Sequence, residues 1–244
     1  MSHLVVSIDE NLASAGLLLS VDEHGLGLRD PVERAAATRV DFLATDLHYR
    51  LKTTGKRQGV GKAVGLDKVA AGLRLQVVDA TAGLGRDALV LAHLGCDVTM
   101  LEQHPVMHAL LADGLARGLV QAEGEFLGVL QRLQLCHIDA RSWLAAVERG
   151  EHEAPDVVYL DPMFPPRDKS AKVKKDMALL HRLLGSEQDL GSLLEVALRV
   201  ARYRVVLKRP DGKLPPELPA PTLWIGEQPA AFAVYVNSSL ANMR

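Results

Sequence analysis

Val77-Val78-Asp79-Ala80-Thr81-Ala82-Gly83-Leu84-Gly85-Arg86-Asp87 is an apolar strand that runs straight into a glycine turn. Apolar residues then recur at helical spacing from Asp87 to Leu94, so the turn opens a helix. Gly83 and Gly85 can take positive φ and have no Cβ, which lets a ligand lie against the backbone. The helix N-terminus behind them supplies free amides and the positive end of a dipole. By itself G-x-G after a strand serves a nicotinamide dinucleotide equally well. Two details shift the balance. The position three after Gly85 is Ala88, not a third glycine, which the relaxed motif allows. Asp79 stands ahead of the glycines, where a carboxylate would face a pyrophosphate unfavourably but suits the amino group of a methionine moiety.

Outward from this turn, short apolar runs alternate with helix-like stretches. Asp97–Glu102, Leu133–Asp139, Asp156–Asp161 and Arg204–Lys208 read as further strands, and segments such as Pro105–Leu119 read as helices between them. This alternation predicts a parallel α/β sheet. Asp79, Glu102, Asp139 and Asp161 fall at or near successive strand ends, the edge where open α/β sheets bind ligands. Any one of them could be a helix cap or a surface charge. Glu102 lies about 20 residues past the glycines, where a carboxylate holds ribose hydroxyls in both dinucleotide and S-adenosylmethionine sites. Asp139 is a candidate acceptor for an adenine amino group. Near the end of the chain, Thr222–Glu227 and Ala231–Val236 are so close that they must pair antiparallel. A Rossmann-like, mostly parallel sheet closed by such a C-terminal hairpin is the pattern of the class I S-adenosylmethionine-dependent methyltransferase fold.

Residues 1–70 break the alternation. Leu17–Val21 and Gly27–Arg29 flank a turn at Asp22-Glu23-His24-Gly25, which predicts a small β-containing subdomain. A helix is expected from about Val32, then a glycine- and lysine-rich connector from Lys52 to Lys62. The chain therefore divides at about residue 70 into an N-terminal subdomain with its basic connector (1–70) and a methyltransferase domain (71–244). Gly61-Lys62 is not a phosphate-binding P-loop: Lys56 occupies the first glycine position and Ala63 the Ser/Thr position. Lys56, Arg57 and Lys62 are instead candidates for substrate phosphates.

With 244 residues and 48% apolar composition the chain can bury a substantial core, and its formal net charge of −2 confines any nucleic-acid surface to local patches. Cys96 and Cys136 show no metal or redox spacing and read as buried or half-buried thiols; no metal is expected. No apolar run approaches a membrane span, and the lack of a signal peptide or disulfide framework points to the cytoplasm.

Asp156-Val157-Val158-Tyr159-Leu160-Asp161-Pro162-Met163-Phe164-Pro165-Pro166 bears most directly on chemistry. Pro162 restricts Asp161 to an extended backbone and ends the strand with a carboxylate at its edge. The segment resembles the [DN]-P-P-[FYW] motif of methyltransferases acting on amino groups of bases, with Met163 in place of the second proline. An aromatic amine is a poor nucleophile because its lone pair is delocalised. Asp161 and the Pro162 carbonyl, accepting its N–H groups, would localise that pair, while Phe164 stacks on the base. Orientation and electrostatics then supply the rate. Arg167 to Lys175 follows with a cluster of cations, of which Lys169, Lys172, Lys174 and Lys175 are candidates for RNA phosphates. Lys208-Arg209-Pro210 adds charge at the end of the fifth strand.

VVDATAGLGRD (77–87), Met100-Leu101-Glu102, Asp113 to Gly118, VVYLDPMFPPRDKSAKVKK (157–175) and the Lys-Arg-Pro at 208–210 together resemble the RsmJ family, bacterial enzymes that methylate N2 of a guanosine in 16S ribosomal RNA. The resemblance covers most of residues 75–210. It implies S-adenosylmethionine contacts at Arg86-Asp87, Glu102-Gln103, Asp139-Ala140 and Asp161, with Gln103 standing where the family has arginine. Small-subunit ribosomal RNA or the small ribosomal subunit is the implied partner; the oligomeric state is not legible. Three other readings stay open: a nicotinamide oxidoreductase, a non-catalytic RNA-binding protein on the same fold, and transfer to another base amine such as adenine N6.

Overall fold

A computed structural model describes residues 4–6, 12, 14–33, 36–53, 55, 59–162, 171–184, 189–209, 212–226 and 231–243. The strands are β1 (Leu4–Val6), β2 (Leu18–Asp22), β3 (Gly25–Arg29), β4 (Gln76–Asp79), β5 (Asp97–Glu102), β6 (Leu133–His137), β7 (Val157–Leu160), β8 (Arg204–Lys208), β9 (Leu223–Ile225) and β10 (Phe232–Val236). The helices are α1 (Thr45–Thr53), α2 (Gly59–Val64), α3 (Arg86–His93), α4 (Pro105–Gln121), α5 (Gly124–Leu130), α6 (Ala140–Glu148), α7 (Ala171–Leu184) and α8 (Leu190–Val200).

Seven of these strands form one sheet in the order β6-β5-β4-β7-β8-β10-β9. β4 pairs parallel with both β5 and β7, β5 with β6, and β7 with β8. β10 runs antiparallel between β8 and β9, which gives the terminal hairpin. The chain winds outward from β4 to β6, then returns to the other side of β4 with β7. The switch point therefore lies between the carboxyl ends of β4 and β7, where such sheets bind ligands. This is the class I methyltransferase architecture.

The central strands β7, β8 and β10 are buried on both faces, as their unbroken apolar runs require. Val77, Val157, Tyr159 and Val206 face one layer, shared with α3 and α4. Val78, Val158, Leu160, Val205 and Leu207 face the other, shared with α6 and α8. All four residues of β7 are fully buried; each large apolar side chain so placed contributes roughly 1.5–3 kcal/mol.

β1, β2 and β3 form a separate antiparallel sheet, with β2 and β3 joined by the expected turn at Asp22–Gly25. Among the described residues the helix expected from about Val32 is not there. Thr38 bridges Leu28 and a turn follows at Phe42–Leu43; Thr38, Val40 and Phe42 are buried, Asp41 is exposed, and the partly buried Arg39 pairs with Asp22. A two-residue period with β-branched Thr38 and Val40 favours extended backbone, and the helix begins only at Thr45. The basic connector is also more ordered than its composition suggests, since Gly59–Val64 is helical, with Val60, Gly61, Ala63 and Val64 buried.

Phe42, Val40, Leu28 and Leu19 belong to the same buried cluster as Leu110 and Leu111 of α4. Asp113 and Arg117 of α4 hold this segment: Leu26 N–H donates to Asp113 Oδ2 at 3.1 Å, and Arg117 donates to the Val40 carbonyl at 2.6 Å. Gly114 is required by the contact, because a Cβ there would sit 2.6 Å from Val40 Cγ1. Among the described residues no helix is long and apolar enough to cross a membrane.

Candidate active site

The two informative sequence stretches meet at the switch point. Asp79 pairs with Tyr159 in the β4–β7 ladder, so the chain two residues beyond Tyr159 lies against the glycine turn. Asp161 N–H donates to Thr81 Oγ1 at 2.6 Å, and Ala80 N–H donates to the Tyr159 carbonyl at 3.0 Å. In the β7–β8 ladder Leu160 pairs with Leu207, which brings the next residues, Asp161 and Lys208, side by side. Strand alternation puts Asp79, Tyr159, Asp161 and Lys208 on one face. From the first turn of α3, Asp87 joins them.

Asp87 is buried and fully engaged. Its Oδ1 accepts from Arg50 of α1; its Oδ2 accepts from Tyr159 Oη and from Lys208 Nζ, both at 2.6 Å. Lys208 Nζ lies equally close, 2.6 Å, to Asp161 Oδ2. One ammonium is thus clamped between two carboxylates, one on the helix and one just past the end of β7.

The electrostatics follow from depth and neighbours. Burial pushes Asp79 up to about 7; the Thr81 N–H opposes this, while Asp87 and Asp161 add to it. Burial also lifts Asp161, opposed by Lys208 and reinforced by Asp87, to about 6. Burial works against the Asp87 charge too, but Lys208 and Arg50 overcome it and hold this carboxyl far below its ordinary range. Burial disfavours the Lys208 charge, yet its two carboxylates raise it above the usual lysine value. Burial, then Asp87, keep Tyr159 a neutral donor.

The glycine turn has two differently built positions. Gly85 has φ +69°, and a Cβ there would meet Phe42 at 2.9 Å and Leu111 at 3.0 Å; it is packed from behind by the N-terminal segment and α4. Gly83 has φ +55°, but a Cβ would meet nothing closer than the Thr81 carbonyl at 3.7 Å. Its free side is open, as a ligand cradle needs. Arg86 and Asp87 open α3, so their amides are among the donors without an intrahelical partner.

Glu102 closes β5 half-buried, accepting from the His104 N–H at 2.8 Å; burial raises it, opposed by that amide and by Gly83. Gln103 is exposed beside it, and its carbonyl lies 3.1 Å from His137 Nε2. Asp139 takes the helix-cap role: its Oδ1 accepts from both Ser142 N and Ser142 Oγ at 2.9 Å, and Ala140 behind it is buried. A cleft of about 390 Å³ beside Thr99, Cys136, Trp143 and His152 lies on the opposite face of the sheet. Cys96 is buried and Cys136 half-buried, and no disulfide joins them.

The structure brings Asp79, Gly83, Gly85, Arg86, Asp87, Glu102, Gln103, Asp139, Ala140, Asp161 and Pro162 to the carboxyl edge of β4–β7. Phe164, Lys169, Lys56 and Arg57 lie outside the described residues. Lys172, Lys174 and Lys175 fall on the described backbone of α7, and Lys62 is exposed on α2. Sequence reasoning misses Arg50, Thr81 and Tyr159, and it assigns Lys208 only a general positive charge. Strand alternation could have paired Tyr159 with Asp161; nothing local announces Arg50, which comes from a helix displaced from its expected start. Among the described residues no group of three or more His, Cys, Asp or Glu side chains could hold a metal ion.

The donor set suits S-adenosylmethionine. Asp79 is a deeply buried carboxyl that a cationic amino group would stabilise as a carboxylate, Gly83 leaves room for a ligand against the backbone, and Glu102 adds a half-buried carboxyl at the end of β5.

The family described as "Putative SAM-dependent methyltransferase" matches residues 5–237. A ribosomal RNA small subunit methyltransferase J of Marinobacter nauticus is 45% identical over 86% of this chain and 74% of its own length. That of Chromohalobacter salexigens is 43% identical over 95% and 89%, and that of Shewanella oneidensis 47% over 82% and 78%. A crystal structure of a SAM-dependent methyltransferase from Neisseria gonorrhoeae is 34% identical, with a TM-score of 0.67, covering 90% of this chain and 83% of that one. Family match, relatives and fold agree with the residues at the switch point: the chain belongs to the family of S-adenosylmethionine-dependent methyltransferases that includes these small-subunit ribosomal RNA enzymes.

Proposed function

We propose that this chain transfers a methyl group from S-adenosylmethionine to the exocyclic N2 of a guanosine in small-subunit (16S) ribosomal RNA. The observation that carries this reading is the placement of Asp161-Pro162 directly against the cofactor turn, with Asp161 N–H on Thr81 Oγ1 at 2.6 Å. An amine acceptor and a methyl donor bound there are forced into contact.

Asp79 takes the amino group of the methionine moiety, Glu102 and Gln103 the ribose, and Asp139-Ala140 the adenine edge. Gly83, Gly85 and the amides of Arg86 and Asp87 form the cradle. The bound cofactor supplies an electrophilic methyl on a sulfonium. Asp161 Oδ1 and the Pro162 carbonyl accept the guanine N–H groups, with Phe164 fixing the plane of the base. The amine lone pair forms the new N–C bond, the C–S bond gives its pair to sulfur, and one N–H proton leaves through Asp161 to solvent. Asp161, held near pH 6 by burial against the pull of Lys208, is ionised at neutral pH and able to accept.

Lys56, Arg57, Lys62, Lys169, Lys172, Lys174 and Lys175 contact RNA phosphates, in a chain whose overall charge gives no general attraction. Residues 1–70 act as an accessory unit on the methyltransferase domain of residues 71–244, and the enzyme works in the cytoplasm on ribosomal RNA or the small subunit. The test uses methyl-labelled S-adenosylmethionine with small-subunit RNA, small subunits from cells lacking this protein, DNA, and no acceptor, followed by mass identification of the labelled nucleoside. N2-methylguanosine in small-subunit RNA is expected. N6-methyladenosine would move the reaction to another base amine. No label in any acceptor would remove the reading.

A further inference from the structure

A lysine is an unexpected neighbour for this chemistry. The site must accept a sulfonium cation and an electron-poor amine, and a free ammonium opposes both. Lys208 is not free: its Nζ lies 2.6 Å from Asp87 Oδ2 and 2.6 Å from Asp161 Oδ2. It is also mostly buried, at 20% exposure. Asp87 is in turn fixed by Arg50 and Tyr159. Each tether comes from a different element: α1, α3, β7 and β8.

We propose that Lys208 is a positioning residue for methyl transfer: anchored by Asp87, it occupies Oδ2 of Asp161 and so presents Oδ1 alone to the acceptor amine. The side chain of Asp87 is then an internal counter-ion rather than a ligand for the cofactor, since both its oxygens are already engaged within the protein. Only its backbone amide remains for a bound ligand. The inference rests on the reading of Asp161 as the amine acceptor.

Geometry accounts for each member. A carboxylate at the end of a strand can rotate about χ2, which is broad for aspartate. Thr81 fixes the Asp161 backbone but not its carboxyl plane. The ammonium supplies the missing constraint. Asp87 cancels the charge thus introduced, and Arg50 and Tyr159 prevent Asp87 from turning away. The charged and titratable groups facing Asp161 are Lys208 from β8, Asp87 from α3, Asp79 from β4, Tyr159 from β7 and Arg50 from α1. Lys208 draws the Asp161 pKa down and Asp87 draws it up, so removing one or the other must move it in opposite directions. A general loosening of the fold would not.

The test uses full-length Lys208→Met, Lys208→Arg and Asp87→Asn. The Asp161 carboxyl is titrated by 13C NMR with labelled aspartate, assigned by its loss in Asp161→Asn. The pH profile of kcat on small subunits lacking the modification is measured in parallel. From about 6 in the parent, the midpoint is expected to rise by about one unit or more in Lys208→Met and to fall in Asp87→Asn. The acidic limb of kcat should move with it. Lys208→Met should lower kcat about 100-fold while S-adenosylhomocysteine binding changes only a few-fold, and Lys208→Arg should restore both the midpoint and part of the rate. Coincident midpoints in the parent and Lys208→Met, or an Arg variant no better than Met, would overturn the proposal. An inactive parent enzyme would instead remove the functional reading, and the titration would still decide what Lys208 does.

Discussion

Asp79→Asn should make this protein more stable and a poorer binder of its cofactor. Asp79 is 2% exposed, and burial raises it from 3.8 to about 7. A raised acid pKa means that the folded state holds the proton while the unfolded chain has released it. Stability therefore falls as pH rises from 3.8 to about 7 and is level above. A shift of about three units corresponds to about 4 kcal/mol of lost stability at pH 8. Asparagine keeps an oxygen for the Thr81 N–H, 3.1 Å away in the parent, and does not ionise. In urea unfolding, Asp79→Asn should match the parent near pH 4 and exceed it by up to about 4 kcal/mol at pH 8. Calorimetry with S-adenosylmethionine should show the reverse ranking. In the parent, affinity should rise with pH up to about 7, because the cationic amino group selects the carboxylate. Asp79→Asn should bind more weakly and lose that dependence. A variant equally destabilised at both pH values, or one that binds like the parent, would refute the reasoning.

The glycines should separate in a similar way. Gly85→Ala should lower the melting temperature more than Gly83→Ala, since it adds contact with Phe42 and Leu111 to the roughly 1–2 kcal/mol of left-handed strain both share. Gly83→Ala should instead cost cofactor affinity, and equal effects of both variants on both measurements would count against the cradle. Reversing Lys172, Lys174 and Lys175 to glutamate should weaken RNA binding and reduce its log–log salt slope by about two, leaving S-adenosylmethionine binding unchanged; an unaltered slope would detach these residues from the phosphates.

The sheet is legible in the sequence because β4, β7 and β8 are unbroken apolar runs, which only strands covered on both faces show. Its edge is legible because Asp79, Glu102 and Asp161 stand where those runs stop. Asp139 exposes the limit of that logic: a carboxylate after a strand is also the residue that caps the next helix, and Asp139 caps α6. The N-terminal segment is harder to read. Val40 and Phe42 have a two-residue period only three positions long, and what holds them is Arg117 and Gly114, over 70 residues away. Arg50 and Lys208 escape local reasoning for the same cause. Each is an ordinary cation in sequence and acquires its role only when β4, β7 and β8 align and α1 docks on α3.

Substitution of Asp161 separates methyl transfer from cofactor binding. Parent and Asp161→Ala enzymes are compared for transfer of labelled methyl to small subunits lacking the modification, with S-adenosylmethionine binding measured on the same samples. Transfer should fall about 10²–10⁴-fold or more, with cofactor binding retained within about tenfold by the remaining cradle. An Asp161→Ala enzyme that methylates guanosine N2 at the parent rate would contradict the role of Asp161 as amine acceptor.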